Sequence, residues 1–238
     1  LDSDRNKLAL IKKMKLKNQY FEWSKQQQRK FQLKLGIYSL IIIVIIGLIL
    51  FSTGSNLSFL LLLVIVIMIT LIAPFFDVPS LVGKGDLKYY SLFFLAEKEK
   101  KGVIKIHGGT LFDYYFVLNK NMNGQDRTKL IMLEYLKGLI SLTKQENENI
   151  ILEGTSYIIN ERTAKKVGLK KVSTNGVQTI ILAFNYFNLM ASIFMAKKTI
   201  QFPNLNKVNT YRAKVMDVKK KEQFINQLIL NFIHNSFL

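Results

Sequence analysis

Cysteine is absent from the 238 residues, which excludes disulfides, thiolate metal sites and a cysteine nucleophile. Histidine occurs twice, as His107 and His234. Two histidines so far apart cannot form a His-x-x-x-His pair, so a histidine-rich zinc site is excluded and no metal is expected. Proline is confined to Pro74, Pro79 and Pro203, and no internal repeat is visible. Acidic side chains are scarce: 16 Asp and Glu stand against 34 Lys and Arg, a net charge of +18 at pH 7. The most informative absence is local. Residues 35–51 and 57–76 contain no charged residue, and only Ser52, Thr53, Gly54, Ser55 and Asn56 separate them.

A spanning helix needs roughly 20 apolar residues at about 1.5 Å rise each. The two runs therefore read as a transmembrane hairpin at 35–76. Basic residues precede the first run (Lys25, Arg29, Lys30, Lys34) and follow the second (Lys84, Lys88, Lys98, Lys100, Lys101), while the connection is uncharged. This bias places both termini in the cytoplasm. A cleavable signal peptide is a poor alternative, given the more than thirty residues before the first run, the missing small-residue cleavage site and the immediate second run. Abundant Lys, Ile, Asn and Leu match AT-rich bacterial genomes. The expected location is thus a bacterial cytoplasmic membrane, with a multi-pass chain.

Residues 1–34 are expected to form a basic juxtamembrane helix, since Leu16, Tyr20, Trp23, Gln27 and Phe31 recur at helical spacing without a breaker. Lysine stems would snorkel and Tyr20 and Trp23 would anchor at the headgroups, or the helix would pack on the cytosolic domain. Trp23, Lys30 and Lys34 are candidates for a membrane or partner surface. The charge of +18 needs counter-charge nearby. Anionic lipid headgroups are the simplest source and an acidic partner subunit the second. Nucleic acid is disfavoured, because the chain contains no recognisable helix-turn-helix, zinc-finger or RNA-binding motif.

From residue 87 the pattern changes to that of a small cytosolic α/β domain, 87–238, with a mixed sheet. The fold class expected overall is an α+β membrane protein. Residues 87–95 and 103–107 read as strands, Gly108-Gly109 as a two-residue hairpin turn, and 110–118 as the returning strand. Leu130, Ile131, Leu133, Leu136, Leu139 and Ile140 mark a helix over 127–143, with turn and cap chemistry in front of it from Asn123 to Asp126. Residues 150–159 read as a strand, 161–167 as a short helix stopped by Gly168, and 169–172 as another strand. A strand over 209–216 and a helix over 218–232 complete the domain.

The order of elements over 87–172 resembles the C-terminal half of the GNAT acyltransferase family. There, a strand leads into an Arg/Gln-x-x-Gly-x-Gly/Ala loop that cradles the pyrophosphate of acyl-CoA, and a later short helix ends in a Lys-Leu-Gly-Phe-like run. Residues 117–131, with Gly124, Gln125, Arg127 and Thr128, occupy the first place, and 160–172, through Lys166, Val167, Gly168 and Leu169, the second. The resemblance implies acyl-CoA as cofactor, bound by Gly124, Gln125, Arg127 and Thr128. The chain departs from the family where Thr128 and Leu130 replace its glycines and Ala164 replaces a frequent tyrosine.

Outside that resemblance the candidate catalytic residues are His107, Asp113 and Tyr157. Period-two geometry on the expected strand puts Asp113 and Tyr115 opposite Tyr114. No nucleophile, base and orienter set emerges from their spacing. Residues 177–196 form a third charge-free stretch, with Gln178, Asn185 and Ser192 as a polar stripe. As a third span it would carry Arg212, Lys214, Lys219, Lys220 and Lys221 across the membrane, against the charge bias. It reads instead as an amphipathic helix that places Phe184, Phe187 and Phe194 on the membrane surface or a partner.

The sequence thus favours a non-enzymatic, membrane-anchored subunit or accessory protein of a bacterial membrane complex. It would dock through its basic domain onto other subunits or a second copy of itself, with no cofactor. The alternative is a membrane-tethered GNAT-like acyltransferase acting on a lipid-linked or membrane-protein substrate. A pore is disfavoured because neither run carries a polar stripe.

Overall fold

The computed structural model describes residues 17–53, 56–156, 159, 161–173 and 176–235. The first two helices begin at side-chain caps. Asn18 caps α1 (Gln19–Glu22), and a capping box of Ser24 and Gln27 opens α2 (Lys25–Ser52). The expected single helix through Tyr20 and Phe31 is therefore broken at Trp23. Ser24 supplies the break: its hydroxyl accepts from the Gln27 N–H and its own N–H donates to Gln27 Oε1 at 2.8 Å.

After a turn of 3₁₀ helix (Asn56–Phe59), α3 (Leu60–Ile72) packs back along α2, with Leu61 against Gly47. A 41° bend separates it from α4 (Pro74–Lys84), where Pro74 takes the first turn and Gly85, at φ +76°, ends the helix. By length and composition α2 is long and apolar enough to cross a membrane, with a mean hydropathy of 2.8 in its most apolar window. Helices α3 and α4 reach that length only together, across the bend.

The domain that follows is α+β. Six strands, β1 (Leu87–Ser91), β2 (Phe94–Glu97), β3 (Val103–Gly108), β4 (Ile151–Ser156), β5 (Lys170–Val172) and β6 (Asn209–Lys214), form a mixed sheet in the order β1-β2-β3-β4-β6-β5. Only β3 and β4 run parallel. They are joined by α5 (Leu111–Val117) and α6 (Gly124–Gln145), a crossover of the length parallel strands require. The remaining helices are α7 (Glu161–Lys166), α8 (Gly176–Phe184), α9 (Tyr186–Lys197), α10 (Val215–Lys219) and α11 (Glu222–Asn235).

Several expectations from the sequence are corrected here. Residues 110–118 are helical, not the second arm of a hairpin: Thr110 and Asp113 form a capping box, with Thr110 N–H and hydroxyl each 2.8 Å from Asp113 Oδ2. That reciprocal pair fixes a helix start and overrides the local strand propensity of Tyr114, Tyr115 and Phe116. Gly108 and Gly109 keep ordinary φ; the positive-φ turn lies earlier, at Lys101 (φ 53°) and Gly102 (φ 75°) between β2 and β3. Gly109 is glycine for space, because a Cβ there would lie 2.7 Å from the Phe93 ring. The stretch 177–196 is also two helices, broken at Asn185. Similarly, residues 87–95 divide into two strands around Leu92-Phe93, and 215–235 into two helices.

One face of the sheet, through Phe94, Ile104, Ile106, Leu152 and Ala213, packs on Leu136, Leu139 and Leu142 of α6 and on Val215, Val218 and Ile225. Gly138 lets α6 approach so closely that a Cβ there would meet Phe94 Cβ at 2.2 Å. A second cluster ties the long helices to the domain. Tyr20 of α1, Phe31 of α2, Phe75 of α4 and Phe112 and Phe116 of α5 interlock with ring centroids 5.0–6.3 Å apart. Edge-to-face contacts at such spacing add about 0.5–1.5 kcal/mol per pair beyond burial.

Candidate functional site

Of the sequence candidates, Asp113 and His107 share no hydrogen-bond partner among the described residues. Asp113 is completely buried as the third residue of α5. Besides Thr110 it accepts from Tyr89 Oη at 2.5 Å and Asn18 Nδ2 at 3.4 Å. No lysine, arginine or histidine pairs with it among the described residues. Burial pushes its carboxyl up to about 6, opposed by the hydrogen bonds from Tyr89 and Thr110. The same burial, with the Asp113 charge beside it, raises the Tyr89 phenol. This carboxylate holds together β1, the start of α5 and the segment that caps α1, which makes it a structural pin rather than a base facing substrate.

His107 sits apart, on the exposed side of β3, with Nε2 2.9 Å from Glu97 Oε1. That hydrogen bond is the main reason the Glu97 carboxyl lies below the usual range. The pair borders a cleft of about 590 Å³ between α4 (Val78, Leu81) and the α8–α9 elbow (Leu182, Leu189), floored by Leu95, His107 and Thr155 of the sheet. Tyr157 and the His234 side chain lie outside the described residues.

The residues that the GNAT resemblance assigns to acyl-CoA are engaged with the protein itself. Arg127 is buried and donates to Met195 O at 2.7 Å and Asn119 O at 2.8 Å. A Cβ on Gly124 would lie 1.9 Å from Lys197 O, so the end of α9 occupies the space beside the first turn of α6. Thr128 donates back to Gly124 O at 2.8 Å, and Gln125 is exposed. In the first turn of α6 the Asp126 N–H donates to Asn123 Oδ1 at 2.8 Å.

The surface candidates divide. Trp23 is half-buried, edge-on to Phe31 and Phe116 in the aromatic cluster, whereas Lys30 and Lys34 are exposed. Phe184 is 63% exposed and Phe194 46%, while Phe187 is half-buried. Beside Phe184, Ile180 and Ile181 are also exposed. The elbow bearing them is fastened to α3 by Asn188 Nδ2, which donates to Thr70 O at 2.8 Å. Sequence reasoning missed this fastening, since Asn188 signals only polarity inside an apolar helix. It also missed the aromatic cluster, whose members come from four separate elements.

The fold and these surfaces define an α+β domain with a mixed six-stranded sheet, held to an apolar helix pair by an aromatic cluster. No protein-family model matches the chain, and neither a curated protein nor a solved structure is detectably similar to it.

Proposed function

We propose that this chain is a non-enzymatic, membrane-anchored subunit or accessory protein of a bacterial cytoplasmic-membrane complex. In this reading α2 and α3 are a transmembrane hairpin, both termini are cytoplasmic, and the basic domain docks onto other subunits or a second copy. One observation carries it. Along α2 only 11% of the most apolar window is buried, and Ile37, Leu40, Ile41, Ile45 and Leu48 stand exposed. In water such a surface would drive association; in lipid it is the expected condition. Exposed Lys25, Arg29, Lys30 and Lys34 at the start of the same helix fit the cytoplasmic headgroup level. The fastening of α9 to Thr70 would hold Ile180, Ile181 and Phe184 at that level too.

The acyltransferase alternative draws less support, because Arg127 and Gly124 already serve the end of α9. The test is gentle detergent extraction of the tagged protein from its native membrane, followed by size-exclusion chromatography and mass spectrometry. Stoichiometric partner chains are the expected result. A lone chain carrying CoA or acyl-CoA would replace this reading with the enzyme, and recovery in the soluble fraction without detergent would end both.

A further inference from the structure

The basic residues are not spread evenly over the domain. Five of them, Arg162, Lys165, Lys166, Lys170 and Lys171, fall on α7 and β5, and all are exposed. Strand β5 is the last in the sheet, so its outer backbone edge has no partner strand among the described residues. Lys170 stands directly opposite Arg212 of β6, and Arg212 directly opposite Glu153 of β4. Directly opposed residues share one face of a sheet. Arg212 pairs with Glu153 through Nε at 2.9 Å, and Lys171 with Glu161 at 3.3 Å. Arg162, Lys165, Lys166 and Lys170 make no ion pair among the described residues. Six cations therefore meet two carboxylates at this edge. Like charges opposed across a strand pair are destabilising; Glu153 already offsets Arg212, which leaves Lys170 on this face without a carboxylate partner among the described residues.

We infer that the β5 edge is a docking site for an acidic, extended segment of a partner protein, which adds a strand beside β5 and sets its alternate side chains against Lys170 on one face of the sheet and against Lys171 and the lysines of α7 on the other. Strand addition uses main-chain hydrogen bonds for affinity and alternate side chains for specificity. The free edge distinguishes a polypeptide from a lipid headgroup, which has no backbone to pair. The inference rests on the reading that the domain docks to a partner, and it names the surface.

The test uses the full chain in nanodiscs of neutral phosphatidylcholine. The probe is a short fluorescein-labelled peptide alternating glutamate and valine, with a proline-interrupted version as control. Binding is expected to weaken with salt, to prefer the uninterrupted peptide, and to fall about tenfold or more in Lys170→Glu/Lys171→Glu. Lys98→Glu/Lys101→Glu, exposed at the β2–β3 turn, should leave it unchanged. Equal loss in both variants, indifference to proline, or tighter binding of a single-stranded oligonucleotide or of phosphatidylglycerol vesicles by the same residues would overturn the inference. Co-purification separates the two levels. Partners retained by Lys170→Glu/Lys171→Glu refute this edge and leave docking intact, whereas no partner on the wild-type chain refutes docking itself.

Discussion

Asp113 makes the stability of this protein rise as the pH falls toward 5, the opposite of ordinary acid destabilisation. Its carboxyl has no exposed surface and no cationic partner among the described residues, and burial pushes it up to about 6 in the fold against an ordinary value of 3.8. A group whose folded pKa is raised binds its proton more tightly when folded, so the fold gains stability as that proton is taken up. At about 1.4 kcal/mol per pH unit, the full difference is about 3 kcal/mol between pH 7 and pH 3. About 1.3 kcal/mol of it should appear between pH 7 and pH 5. The carboxyls held low, Glu97 and Glu148, give up their contributions only at lower pH. The assay is denaturant unfolding in nanodiscs at pH 5 to 7.5, followed by fluorescence of the single tryptophan, Trp23, which lies in the aromatic cluster beside the pin. Asp113→Asn should flatten the pH dependence. A wild-type stability that falls from pH 7 to pH 5, or an Asn variant with the wild-type slope, would refute the reasoning.

Other consequences follow from packing and from the membrane reading. Phe112→Ala removes a fully buried ring touching Tyr20, Phe75 and Phe116, and should cost about 3–5 kcal/mol in the same unfolding experiment. Gly124→Ala would gain up to about 1 kcal/mol in an open helix. Here its Cβ would lie 1.9 Å from Lys197 O, so a loss of about 1–3 kcal/mol is expected, and a stabilised variant would show that α9 does not end there. The absence of native cysteine permits single-cysteine labelling without background. In intact cells a membrane-impermeant maleimide should label Ser52→Cys and spare Ser24→Cys, and the reverse pattern would invert the proposed orientation.

How much of this was legible in the sequence depends on how local the deciding interaction is. The helix at Gly124–Gln145 and the short strand at Lys170–Val172 carry their periodicity and stops within their own residues, and they form close to where pattern places them. Residues 110–118 misled because alternation and aromatic content favour a strand, whereas Thr110 and Asp113, three residues apart, decide the matter through one capping box. The break at Asn185 and the bend between α3 and α4 have no strong breaker of their own except Pro74; packing of α9 against α3 accompanies the first. Arg127 shows the limit for sites. A basic residue at a helix start reads as an anion ligand, yet its partners are the carbonyls of Asn119 and Met195, the latter 68 positions away.

The aromatic cluster also constrains how the protein would act. Its rings come from α1, α2, α4 and α5, and Gln32 of α2 donates to Phe75 O of α4 at 3.0 Å. Helix α4 then leads directly into β1 through Gly85 and Asp86, with Asp86 O accepting from Lys98 N–H at 2.9 Å beyond β2. The path from the apolar helices into the sheet thus contains no flexible linker. Close-packed aromatic interiors transmit displacement rather than absorb it. A partner bound at β5 would therefore be held at a fixed orientation to the helix pair, and a load applied there would reach α2 and α3. Loosening the joint with Phe112→Ala or Phe116→Ala should uncouple the two ends while leaving peptide binding at the edge unchanged. Electron spin labels at Ser80 and Lys170 can measure this as a broadened distance distribution, and an unchanged distribution would locate the rigidity elsewhere.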